Sequence, residues 1–316
     1  MSNSKIVGVV GAGATGAYLA GRLSRAGLSV TLLARGESFD RIREHGIEIT
    51  DPDGDRWVAN PTYVRAADDL DALDEACDFV LFCVKTYDTD SAAALLGPLI
   101  GETGHVVCLQ NGVKNEQILA SAVGPERVLS GVLYIGSQRV APGVIECSSP
   151  PRVIVGPYDG IDHGASRAVR DAFSAAGIEC TVEPEVLAAK WQKFLFNCGL
   201  NPLTAITRLR MGQLLAVPAV AAVFDTLVEE AIAAATAAGA PLPADAKDRV
   251  MATALRMDIS SSMADDLEAG RAIELDAFTG YVIELGEANG VPTPATRVAH
   301  GMLAALDAAR GARRNG

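Results

Sequence analysis

Two stretches of this 316-residue sequence combine residue types and spacings that suggest chemistry. The first is Gly11-Ala12-Gly13-Ala14-Thr15-Gly16, which follows the apolar run Lys5–Gly11 and opens the helical pattern Thr15–Ala26. In that setting Gly11 permits a tight turn, Gly13 lets the backbone approach a pyrophosphate, and Gly16 lets helix and strand pack closely. The helix start then offers unpaired N–H groups and a partial positive charge to phosphates. A glycine turn that merely packs well is the bland alternative. Nineteen residues after Gly16 the next apolar run ends in Arg35, where an NAD site normally carries a carboxylate for the ribose 2′-hydroxyl. A guanidinium there suits a 2′-phosphate, so NADPH is the expected cofactor, with Glu37 keeping NAD open.

The second stretch is Lys190-Trp191-Gln192-Lys193-Phe194-Leu195-Phe196-Asn197-Cys198-Gly199-Leu200-Asn201-Pro202. On a helix Lys193, Asn197 and Asn201 fall within about 80° of one another. Phe and Leu side chains frame that stripe on both flanks, which fits the lining of a cleft better than a solvated face. Lys190 lies on the same side, and spacing alone leaves open which lysine faces the chemistry. Lys85 and Asn111 close two further apolar runs, at the strand ends where open α/β sheets bind ligands. The group Ser260-Ser261-Ser262-Met263 and the later Glu274-Leu275-Asp276 read, in isolation, as a helix cap and a surface carboxylate.

These residues need elements to position them. Up to Glu183-Pro184-Glu185 the chain alternates apolar runs with helical patterns: Ser29–Ala34, Asp78–Lys85, His105–Gln110, Val128–Ile135, Val144–Cys147, Val153–Val155 and Ile178–Val182 read as strands. Gly46–Thr50 and Arg56–Ala59 flank a turn signal and read as a hairpin. Beyond that point Ala-rich helical patterns take over, at Val186–Leu200, Ala219–Ala238, Ala246–Asp258, Asp276–Asn289 and Thr296–Ala309. The expected fold is an α/β Rossmann-type N-terminal domain with a mainly parallel sheet, residues 1–184, and an all-α C-terminal domain, residues 185–316.

Composition limits the partners. Lys+Arg 27 against Asp+Glu 39 gives a net charge of −12, which argues against a nucleic-acid footprint. The six cysteines show no CxxC and the four histidines no zinc spacing, so neither a metal site nor a disulfide framework is expected. The N-terminus lacks a signal-peptide pattern and the most apolar stretch, Ala216–Phe224, falls far short of the roughly 20 residues that span a bilayer. A cytoplasmic protein with no membrane partner is expected. Alanine-rich helices fit a homodimer face and core packing equally well.

Together these motifs resemble the ketopantoate reductase family (2-dehydropantoate 2-reductases) along nearly the whole chain. The glycine loop, Arg35, Val84-Lys85 and Gln110-Asn111-Gly112 carry the likeness first. More specific are Lys193-x-x-x-Asn197-Cys198-x-x-Asn201-Pro202-Leu203-Thr204-Ala205, Ser261-Ser262-Met263 and Glu274-Leu275-Asp276 with Gly280. The resemblance implies NADPH on the first domain, a small 2-oxo acid in an interdomain cleft, and Lys193 as the general acid. It implies substrate contacts from Asn197, Asn201 and Ser262, and from Asn111, which would touch cofactor as well. Lys85 and Glu274 would complete the cofactor side, with Glu274 also part of the catalytic set, and Ser137 would offer a backbone contact to NADPH. The implied reaction is reduction of 2-dehydropantoate to pantoate in pantothenate biosynthesis.

One position departs from the family pattern. Met211 stands before Gly212-Gln213-Leu214, where family members often carry a substrate-binding Asn, and a thioether cannot replace an amide donor. A paralogous reductase of another branched 2-oxo or 3-oxo acid is therefore the competing expectation. A non-enzymatic NADPH-binding sensor would need only the glycine loop and Arg35, and leaves the Lys193 set without a purpose.

Overall fold

Successive side chains along the parallel strands enter two different cores, and that alternation requires a sheet covered on both faces. The computed structural model describes residues 5–66, 75–162 and 164–314, with side chains through Arg310. The strands are β1 (Ile6–Val10), β2 (Ser29–Ala34), β3 (Ile47–Thr50), β4 (Arg56–Ala59), β5 (Tyr63–Ala66), β6 (Phe79–Phe82), β7 (His105–Cys108), β8 (Val128–Ala141), β9 (Val144–Pro157) and β10 (Glu179–Val182). They form one sheet in the order β4-β3-β9-β8-β7-β6-β1-β2-β5, with β10 also on β9. Only β3–β4 and β8–β9 are antiparallel among the described pairs. The sheet is thus mixed but mostly parallel, as the alternating pattern predicts.

The helices of this half are α1 (Ala14–Arg25), α2 (Glu37–His45), α3 (Thr89–Ala93), α4 (Leu96–Ile100), α5 (Asn115–Val123) and α6 (Ala165–Ala175). Val7, Val9, Phe79, Leu81 and Val107 pack with Leu19 and Leu23 of α1 and Val169 and Phe173 of α6. Val10, Val80, Phe82, Val106 and Cys108 pack on the other face with Leu96, Leu99 and Leu119.

The sequence pattern predicts two short runs where β9 is a single strand. Pro150 and Pro151 interrupt the apolar pattern, yet they fall at a bulge: Arg152 faces Tyr134 and Ser149 faces Gly136, so two residues without N–H donors oppose Ile135 alone. No helix is predicted at α2 or α6. The buried face of α2 amounts to Ser38 and Ile42, and that of α6 to Ser166, Val169, Ala172 and Phe173, so neither helix carries more than two large apolar side chains to mark a period.

The chain divides into two compact units, Met1–Val186 and Leu187–Gly316. The second is all-helical, with α7 (Val186–Thr207), α8 (Met211–Leu215), α9 (Pro218–Ala237), α10 (Ala246–Arg256), α11 (Ser262–Glu268), a π-helical turn at Asp276–Gly280, α12 (Tyr281–Asn289) and α13 (Pro294–Arg314). Helix α7 runs past the predicted stop at Leu200 and through Pro202. A proline there removes only the bond to the Cys198 carbonyl, and the buried Leu203, Thr204 and Ala205 hold the continuation in place. At Gly199 a Cβ would lie 2.5 Å from the Phe224 ring, so α7 and α9 approach closely at that point.

Glu230 of α9 ties the bundle together. Its buried carboxylate accepts hydrogen bonds from the backbone N–H groups of Ala295 (2.9 Å) and Thr296 (2.8 Å) and from the Thr296 hydroxyl (2.7 Å). It therefore satisfies donors at the start of α13 that no intrahelical carbonyl can reach. Glu230→Ala strands those donors and is expected to cost about 2–4 kcal/mol, read as a lower urea midpoint with an unchanged slope.

Candidate active site

In the first unit the site residues gather at one edge of the sheet because their strands are parallel and in register. Val10 pairs with both Leu33 and Phe82, and Phe82 with Cys108. The chain therefore leaves β7, β6, β1 and β2 at a common level, carrying Asn111, Lys85, Gly11 and Arg35 respectively just beyond.

Gly11 adopts φ +106°, a conformation L side chains rarely take, and its N–H donates to the Leu33 carbonyl at 3.2 Å. A Cβ on Gly16 would sit 1.9 Å from the Gly11 carbonyl oxygen, so α1 can begin there only with glycine. Gly13 caps α1 without any side-chain hydrogen bond, and the first turn, Ala14 and Thr15 included, carries no acidic residue. A Cβ on the exposed Gly13 would meet nothing within 4 Å, and Ala12 beside it is half-buried. Open amides, a positive helix end and free space all fit a pyrophosphate.

A buried polar chain positions the neighbouring strand ends. The Gln110 amide donates to the Val84 carbonyl (3.0 Å) and to the Thr89 hydroxyl (2.8 Å). Thr89 donates to Asn115 Oδ1 at 3.1 Å, and Asn115 Nδ2 donates to the Asn111 carbonyl at 2.8 Å. The backbone on either side of Lys85 and Asn111 is fixed by these bonds. Gln110 enters the sequence reading only within its motif, and Thr89 and Asn115 not at all; the one hint is a run of amides clustered just past a strand. Arg35 pairs with Asp88. Ser137 lies further along β8, opposite Cys147, just after the bulge.

In the second unit α7 carries the polar stripe. Asn201 is buried, while Lys193 and Asn197 are half-buried. The flank of the stripe packs on the π-helical turn: Phe194 stacks on Phe278 (6.2 Å) and meets Tyr281 edge-on (6.0 Å). That contact sets Glu274, two residues before the turn, within electrostatic reach of Lys193. Glu274 is 8% exposed, so the surface role that its sequence surroundings suggest is corrected. At the far end, Thr204 donates to Ser261 at 2.6 Å, and Ser261 caps α11 by accepting from the Ala264 N–H at 3.2 Å. Ser261 is therefore the cap, and Ser262 stands exposed beside it in the first turn of α11, near the Asn201 end of α7. Met211 is fully buried and its N–H donates to the Ile259 carbonyl at 3.0 Å.

Lys193 is the most perturbed of these groups. Loss of hydration, reinforced by the positive charge of Lys190 one helical turn away, pulls its pKa down to about 8, and Glu274 opposes the fall. Lys190 is itself 3% exposed. No group of His, Cys, Asp and Glu among the described residues could hold a metal ion, and no described helix is long and apolar enough to cross a membrane.

The loop, the register and the doubly covered sheet place the first unit in the Rossmann-type class of dinucleotide-binding folds. Comparison with known sequences narrows the class: the chain belongs to the ketopantoate reductase family. The profile described as "Ketopantoate reductase PanE/ApbA" matches residues 7–160, and that of its C-terminal part matches residues 185–307. A curated 2-dehydropantoate 2-reductase of Halobacterium salinarum is 33% identical over 92% of this chain and 94% of its own length. A crystal structure of a PanE/ApbA family ketopantoate reductase from Ralstonia eutropha superposes with a TM-score of 0.86 at 34% identity, over 97% of this chain and 99% of that one. D-mandelate dehydrogenase in complex with NADH and anilino(oxo)acetate shares the fold at a TM-score of 0.87 and 20% identity, covering 97% of this chain and 99% of that one. The chain is thus an oxidoreductase that uses a nicotinamide cofactor and acts on a small molecule.

A lysine whose pKa falls on folding costs stability wherever both states are protonated. The unfolded chain binds more protons between about pH 8 and 10.5, so this cost is relieved as pH rises through that window. Lys193→Met is accordingly expected to stabilise the protein by about 1–3 kcal/mol at pH 7, with the gain shrinking towards pH 10.5 in denaturation curves.

Proposed function

We propose that the chain reduces the ketone of a 2-oxo acid with NADPH, and that this acid is 2-dehydropantoate, giving pantoate for pantothenate synthesis. The observation that carries the reading is the half-buried Lys193, with a pKa near 8, set between Glu274 and two same-face asparagines. In this reading residues 1–184 bind NADPH and residues 185–316 supply the substrate and proton chemistry.

When bound, NADPH supplies the hydride that reduces the carbonyl carbon. Gly11 to Gly16 hold its pyrophosphate, Arg35 its 2′-phosphate, and Lys85, Asn111, Ser137 and Glu274 its remaining contacts. Lys193 holds a proton on Nζ and passes it to the ketone oxygen as negative charge builds there. Lys190 and dehydration make that proton easier to give up at neutral pH, while Glu274 keeps the ammonium form populated. Asn197 and Asn201 stay neutral throughout, so with Ser262 and Asn111 they orient the acid without competing for the proton.

A second reading has one observation in its favour. Met211 is fully buried and its side chain offers no donor where relatives often place an amide, which suits an acid lacking the terminal hydroxyl of 2-dehydropantoate. Turnover of NADPH with 2-dehydropantoate, 2-oxoisovalerate and oxaloacetate separates the two, and brisk turnover of another acid with none of 2-dehydropantoate selects the second. Lys193→Ala is expected to lower kcat about 100-fold or more while leaving the Kd for NADPH unchanged. The general acid must be protonated, so wild-type activity should fall as pH rises through about 8. Turnover at the wild-type level in the variant removes Lys193 from the mechanism.

A further inference from the structure

The guanidinium expected to read the 2′-phosphate already has a counter-ion. Arg35 donates from Nη2 to a carboxylate oxygen of Asp88, which ends the short turn Thr86–Asp88 that follows Lys85. The acid is held from its backbone: the Asp88 N–H donates to the Lys85 carbonyl at 2.9 Å, and its own carbonyl accepts from the Ser91 hydroxyl at 3.0 Å. The arginine side chain is 71% exposed and that of Asp88 is 23% exposed, so the carboxylate is the anchored member and the guanidinium is drawn towards it. A phosphate of nearly two negative charges arriving at Arg35 must compete with this carboxylate and bear its repulsion. A ribose 2′-hydroxyl faces neither obstacle and can donate to Asp88, the type of contact a carboxylate makes in an NAD site.

Resting on the assignment of Arg35 to the 2′-phosphate, we infer that Asp88 is a specificity-determining residue that narrows the preference for NADPH, so that the site also takes NADH. The selection is a contest for one guanidinium. Asp88 sets how much of the charge on Arg35 a phosphate can use, and supplies an acceptor when the phosphate is absent.

Titration calorimetry tests this without turnover, using NADPH, NADH, adenosine 2′,5′-bisphosphate and AMP as probes. Asp88→Asn keeps the size of the side chain and removes its charge. It is expected to tighten NADPH and adenosine 2′,5′-bisphosphate about three- to tenfold, with NADH and AMP unchanged or weaker. Asp88→Glu, which keeps the charge, should hold the wild-type ratio, and in an Arg35→Gln background Asp88→Asn should lose most of its effect. If Arg35→Gln abolishes the NADPH preference while Asp88→Asn leaves the ratio unmoved, or weakens NADPH, the role of Asp88 is overturned and NADPH recognition by Arg35 stands. If Arg35→Gln leaves the ratio unmoved, the assignment of Arg35 itself fails. Equal loss of all four probes in Asp88→Asn makes Asp88 a scaffold for the loop and overturns the inference.

Discussion

An ammonium held out of water sets the terms for the helical half. Dehydrating a charged lysine disfavours its protonated form, and a second buried lysine on the same helix face adds to that cost. The fold tolerates the charge on Lys193 because Glu274 lies close by, and Glu274 is brought there as Phe194 and Phe278 stack between α7 and the π-helical turn. The turn itself is tight. A Cβ on Gly280 would come within 2.9 Å of the Asp276 carboxylate, so this irregular turn closes around a residue without a side chain. Apolar packing, local backbone geometry and the proton affinity of one amine are therefore linked through a handful of contacts.

The sheet edge of the first unit is governed by the same economy of buried polar groups. Strand ends leave carbonyls and amides facing outwards, and the Gln110–Thr89–Asn115 chain satisfies those behind the edge with side chains. In front of the edge, Gly13 caps α1 without a side-chain hydrogen bond and the first turn carries no acidic residue. A rear satisfied by side chains and a glycine-capped helix start in front suit this edge to the binding role proposed for it.

Much of this was legible in the sequence, for identifiable reasons. Glycine loops, strand alternation and a polar stripe framed by phenylalanines are local signals, and they placed Gly11 to Gly16, Lys85, Asn111 and the α7 stripe on the right elements. What could not be read is long-range. Glu274 looks like a surface acid until the aromatic stack buries it, Asp88 has no sequence reason to meet Arg35 across 53 positions, and Thr89 matters only through its bonds to Gln110 and Asn115. Ser261 and Ser262 are indistinguishable as letters, and only the bond to Thr204 tells the cap from its exposed neighbour. Prolines misled in both halves, at β9 and within α7, because a missing donor is costly only where no bulge or packed continuation absorbs it.

A chain with 39 acidic and 27 basic residues is an unfavourable host for an anion, since its average field repels one. Recognition of phosphate or carboxylate must then come from short-range features that outweigh the field over a few ångströms. Amides at a helix start do this without adding a charge, and at α1 they are not neutralised by any acidic residue of the first turn. A surface arginine can be, as Asp88 demonstrates at Arg35. In the proposed reading the labour divides accordingly: the glycine loop would supply affinity from backbone amides, whereas the exposed arginine would supply discrimination, which an adjacent carboxylate can raise or lower.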